Sequence, residues 1–99
     1  MKIQEVSKES KDERYHKAKI LLENNVIQTV DQLYKVLPKN VIANGLGINP
    51  IRFSNNRSKH PGQFKLDELI RLSELIETDL MVLVNIFKYS IDKEKTSEN

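Results

Sequence analysis

Ninety-nine residues with a net charge of +2 are about one domain's worth of chain, with room for one modest core and none for a deep substrate cleft beside it. The absence of cysteine excludes a disulfide framework, a thiolate nucleophile and every cysteine-containing zinc site. No apolar signal-peptide core follows Lys2, Glu5, Ser7, Lys8 and Glu9, and no stretch approaches a membrane span, so the expectation is a soluble, cytoplasmic chain.

The charged ends, 1–12 and 92–99, carry too little apolar content to pack and are expected as flexible tails around a helical domain over 13–91. Tyr15, Ala18 and Leu22 share one helical face, which predicts a first helix over 11–24, stopped at Asn24 and Asn25, since asparagine tolerates the left-handed conformation. Thr29 with Gln32 has capping-box spacing, and Val30, Leu33, Tyr34 and Leu37 fall at i, i+3, i+4 and i+7, predicting a second helix that Pro38 ends, or from which Pro38 begins the next. Beyond the central segment, Leu66, Leu69, Ile70, Ser73 and Ile76 line a helix over 65–77, with Asp67 and Glu68 in its first turn, where the helix dipole favours negative charge. Thr78 or Asp79 caps a last helix reaching about residue 90. Alternation is too poor to support a strand. The expected fold class is all-α, a small bundle of five to six helices.

The central segment has its own physical logic. Ile42 and Leu46 lie one turn apart on the inner side of a short helix, and Ala43 leaves room there for a crossing helix. Gly47 can take a positive φ and reverse the chain. Ile48 points back inward, Asn49 is a good N-cap and Pro50 a natural first helical residue. The reading is helix, tight turn, helix.

The string Ile42-Ala43-Asn44-Gly45-Leu46-Gly47-Ile48, with Phe53 five residues on, resembles the helix-turn-helix of the Cro/repressor (XRE, lambda-repressor-like) class. Pro61, then Leu66, Leu69, Ile70 and Ser73, then Leu80 and Leu83, continue the match, which covers about 29–87. The resemblance implies a small transcriptional regulator of phage or mobile-element type that binds double-stranded DNA with a recognition helix over 49–58 in the major groove. On that placement Asn49, Ile51, Arg52, Ser54 and Asn55 face outward, with Arg57 and Ser58 at the margin. Arg52 suits guanine edges and Asn55 adenine edges, and Ile51 has only a thymine methyl to touch. Arg57, Lys59, His60 and Lys65 would meet phosphates, as would Lys39 and Asn40 at the start of the preceding helix.

Charge supports the same region independently. From 32 to 66 there is no acidic residue, whereas Lys35, Lys39, Arg52, Arg57, Lys59 and Lys65 give that interval +6 and leave −4 for the rest of a +2 chain. Such segregation is the footprint of a phosphate-backbone binder or a chance cluster on a charged surface.

The pattern departs from the family at three places. Asn56 stands where an apolar side chain is usual, and Pro50 and Ile51 occupy the start of the recognition helix, where polar side chains usually reach bases. These favour an alternative function, a protein-interaction adaptor that keeps the fold and has lost base reading. His16 and His60 have no neighbours at metal-ligand spacing, and there is no nucleophile elbow or phosphate-binding glycine loop, so neither enzymatic activity, nor a metal or cofactor, nor a small-molecule substrate is expected. In the last helix Leu80, Met81, Val82, Leu83, Val84, Ile86, Phe87, Tyr89 and Ile91 wrap most of the circumference. Either the first helix covers the surplus within the monomer or a second copy does, making 79–91 a candidate homodimer interface.

Overall fold

A computed structural model describes residues 11–97, and the side chains of 13–95. Among the described residues six α-helices follow one another: α1 (Lys11–Glu23), α2 (Val30–Val36), α3 (Lys39–Leu46), α4 (Pro50–Asn55), α5 (Leu66–Ile76) and α6 (Leu80–Ser97), with a 3₁₀ turn at Pro61–Gln63 between α4 and α5. No strand occurs among the described residues, and no helix there is long and apolar enough to cross a membrane. The fold class is thus all-α.

The helix ends follow from local chemistry. Asn25 sits at φ 62° and stops α1 in the left-handed conformation. Thr29 caps α2, its Oγ1 accepting from the Gln32 N–H at 3.1 Å, while Gln32 Oε1 accepts from the Gln28 N–H at 2.7 Å, one residue upstream of the capping-box geometry. Pro38 is the residue before α3, its carbonyl accepting from the Val41 and Ile42 N–H groups at 3.0 and 3.1 Å. Asp79 opens α6, Oδ1 accepting from the Met81 N–H at 2.8 Å.

One core joins the helices: Ala18 and Leu22 of α1, Leu33 of α2, Ile42 and Ala43 of α3, Phe53 of α4, Leu72 and Ile76 of α5, and Leu83 and Phe87 of α6 are all buried. Leu46 and Ile48 are half-buried against it. A run of edge-to-face rings crosses this core, from Tyr34 to Phe53 (6.2 Å between centroids), Phe53 to Phe64 (5.7 Å) and Phe64 to Phe87 (4.7 Å). Each such pair is worth about 0.5–1.5 kcal/mol beyond the area it buries, so Phe53 is the hub that ties α4 to α2 and, through Phe64, to α6. The Tyr34 hydroxyl oxygen is buried with no hydrogen-bond partner among the described residues. Burial first, and the Asp31 carboxylate second, hold this phenol well above its ordinary pKa.

Gly45 is where three helices meet. A Cβ there would lie 2.7 Å from Tyr15 Oη of α1 and 2.8 Å from Leu75 Cδ1 of α5, closer than real contacts allow. The Tyr15 hydroxyl donates to the Val41 carbonyl at 3.4 Å, and Arg71 Nε of α5 donates to the Gly45 carbonyl at 2.9 Å, so α3 is braced from both neighbours.

Two boundaries differ from the sequence expectation. α4 ends at Asn55 and not at 58, because the chain leaves the helix at Asn56 and the Ser58 N–H turns back to the Phe53 carbonyl at 2.9 Å. α6 runs to Ser97, through the expected 92–99 tail, supported by an i,i+4 pair of Lys88 with Asp92 at 2.7 Å. Of the expected 1–12 tail, residues 1–10 lie outside the described residues; residues 98–99 of the C-terminal one do too.

Candidate nucleic-acid interface

The candidate interface centres on the turn between α3 and α4. Gly47 takes φ +73°, and the Gly47 N–H reaches the Asn44 carbonyl (3.2 Å) while the Ile48 N–H reaches that of Ala43 (2.9 Å), the paired bonds of a Schellman stop. Two residues later Asn49 Oδ1 accepts from the Ile51 and Arg52 N–H groups at 2.9 and 3.3 Å, and Pro50 takes the first helical position, where its missing N–H costs nothing. The chain therefore reverses between two fixed points, and Phe53, fully buried, sets the roll of α4.

That roll decides what α4 presents. Asn49, Ile51, Arg52, Ser54 and Asn55 are exposed, as the spacing predicts, and Ile51 retains 72% of its surface. Asn49 is exposed but its carbonyl oxygen is committed to the cap, leaving only the amide NH₂ to donate outward. Lys39 and Asn40, the first two residues of α3, are exposed, and that helix start has no side-chain cap. The Lys39 ammonium lies 5.5 Å from the centre of the Tyr34 ring. Lys59 and Lys65 are exposed and, like Arg52, make no ion pair among the described residues.

Arg57 is placed differently from Arg52 and Lys59. Its Nη2 lies 2.7 Å from Glu68 Oε2 and its Nε 3.3 Å from Oε1, and both side chains keep about 15% of their surface or less (15% and 13%). A bidentate pair this enclosed is a clamp between the end of α4 and the first turn of α5, and it leaves little of the guanidinium for phosphate. Burial disfavours the Glu68 charge, but the Arg57 hydrogen bonds, the Lys65 N–H at 2.9 Å and the two cations outweigh it and hold the carboxyl below its ordinary pKa. The acid-free interval in the sequence is thus partly neutralised in space by the carboxylate just beyond it. His60 is exposed, but its Nδ1 lies 3.5 Å from Glu94 Oε2 on the extended part of α6, so a phosphate there would meet a carboxylate as well.

Sequence reasoning missed Arg71, whose bond to the Gly45 carbonyl fixes the end of α3; nothing in the spacing around it signals that role. It missed Glu94 because it ended α6 too early, although Lys88 and Asp92 at i,i+4 were there to be read as helix.

Hollows lie elsewhere on the surface. A groove of about 470 Å³ runs between residues 22–28 and α6, lined by Leu22, Ile27, Val82, Ile86 and Tyr89 with polar edges. A hollow of about 320 Å³ between the start of α2, residues 58–61 and α6 mixes Asp31 and Glu94 with Lys59 and Lys93. Among the described residues no group of three or more His, Asp or Glu is placed to hold a metal ion. α1 packs chiefly on α5 and α2, so Met81 (57%) and Tyr89 (51%) of α6 stay exposed.

Compared with known proteins, the chain matches no protein-family model, no curated protein and no solved structure.

Proposed function

We propose that this protein binds double-stranded DNA through a repressor-like helix-turn-helix made of α3 and α4. The observation that carries the reading is the two-sidedness of α4: Phe53 is buried to the last atom, while Arg52, Ser54 and Asn55 beside it are exposed on a face without acidic residues. Arg52 and Asn55 have the donor and acceptor sets for guanine and adenine edges in the major groove. Lys39 and Asn40 at the uncapped start of α3, with Lys59 after α4 and Lys65 before α5, form the phosphate contacts that fix register. Arg57 is removed from that set and His60 is a marginal member. A homodimer through α6, with Met81 and Tyr89 at its centre, would present two such faces to two half-sites.

The test is selection of bound duplexes from a random pool with the full chain. Enrichment of a motif, with binding that weakens steeply as salt rises, is the expected result. Failure to retain any duplex at low salt would overturn the reading.

A second reading, the protein-interaction adaptor, is favoured by the apolar groove between residues 22–28 and α6 and by Leu66, which keeps 64% of its surface. It predicts stable capture of a protein partner with no affinity for DNA.

A further inference from the structure

The outward face of α4 holds fewer base-reading groups than its sequence suggests. Asn49 has spent its carbonyl oxygen on the cap, Pro50 has no N–H, and Arg57 is clamped to Glu68. What remains is Ile51, Arg52, Ser54 and Asn55. Of these Ile51 is the odd one. At 72% it is the most exposed large apolar side chain among the described residues, and it contributes nothing to the core that Phe53 anchors two positions on. Arg52 adjoins it, and α4 itself carries no acidic residue.

An exposed apolar tip beside a cation suits a polyanion that offers apolar groups between its charges. In the major groove of duplex DNA that group is the C5-methyl of thymine. Asn55 stands one turn after Ile51, on the same ridge of α4, so both reach the same stretch of groove. Adenine, the base whose N6 and N7 suit Asn55, is thymine's own partner.

Resting on the DNA-binding reading above, we infer that Ile51 is a specificity-determining residue that reads the C5-methyl group of thymine. Pro50 at the first helical position then has a use. It fixes the backbone immediately before Ile51 and adds no donor that would demand a polar base edge. The half-site is A·T-containing at the position α4 enters first, and the protein distinguishes thymine from uracil there.

The experiment uses the duplex recovered by selection, synthesised once with thymidine and once with deoxyuridine at every thymine. Both are titrated with the full chain, with Ile51→Ala and with the bulk-preserving Ile51→Gln. The wild-type chain is expected to bind the thymidine duplex about fourfold more tightly for each methyl contacted, the value of one buried methylene-sized group. Both variants should lose that preference, binding the two duplexes alike, while Arg52→Ala binds more weakly and keeps it. An unchanged unfolding midpoint checks that the variants are folded, as expected for so exposed a position. Equal wild-type affinity for both duplexes, the same preference surviving in both Ile51 variants, or a selected motif without thymine would overturn the assignment and leave DNA binding standing. No retention of any duplex at low salt would overturn both.

Discussion

Arg52 and Arg57 lie five residues apart in one acid-free stretch, and the fold treats them oppositely. Arg52 stands in solvent on α4 without an ion pair among the described residues; Arg57, two residues past the helix end, is held by both oxygens of Glu68. The α4 face and the turn behind it therefore differ in kind, although neither contains an acidic residue. Basic residues counted along the chain overstate the positive surface, because a carboxylate from the next helix cancels part of it. Charge segregation is a statement about the folded surface only after such pairs have been removed.

The sharpest way to break the comparison is to remove what orients both regions. Phe53→Ala empties a fully buried site at the centre of the ring series, and a loss of about 3–5 kcal/mol is expected in denaturant unfolding. A loss under about 1 kcal/mol would mean that α4 is not held by this core. The two arginines come next. Arg52→Ala should leave stability within about 0.5 kcal/mol but cost about 1–3 kcal/mol in binding the selected duplex and relax its preference. Arg57→Ala should do the reverse, lowering stability by about 1–2 kcal/mol, between the worth of an exposed pair and that of a fully buried one. Equal effects of the two on both readouts would erase the distinction drawn here.

Acid titration sharpens it further. The Glu68 carboxyl is depressed below its ordinary value of 4.5. Its contribution is therefore fully present above that pH and is lost as pH falls through the lower, folded-state value. Between about pH 6 and 3 the gap in unfolding midpoint between wild type and Glu68→Gln should narrow. A gap constant with pH would show that the clamp does not depend on that charge. The smallest effect expected is from Tyr34→Phe, which removes a buried hydroxyl without a partner among the described residues. Stability should stay level or rise by up to about 1 kcal/mol, and thermal unfolding that instead reveals a loss would show the hydroxyl to be bonded.

Much of the helical framework was legible because it is written in short-range chemistry. Asn25, Thr29, Gly47, Asn49 with Pro50, and Asp79 each act within a few residues of themselves, so position in the sequence is enough to read them. Ala43 was legible from helical spacing, and Phe53 as the anchor that the repressor-type resemblance implies. What could not be read is what depends on how helices meet. The Arg57–Glu68 clamp spans a turn whose path is set by Phe64, the Arg71 bond to Gly45 spans 26 residues, and the His60–Glu94 contact needs α6 to continue past residue 91. On the candidate interface the consequence was specific: Arg52 and Asn55 stayed exposed and Arg57 did not.

The shortness of α4 limits how much information the proposed interface can carry. Six residues rise about 9 Å, roughly the length of three stacked base pairs. A word of three base pairs recurs about once in every 64 steps of random sequence, far too often to single out one address among a genome's competing sites. A protein that reads so short a word gains selectivity by reading it twice at a fixed spacing or by measuring the stiffness of the DNA around it. The spacing between enriched words, more than the words themselves, is then where the address is stored.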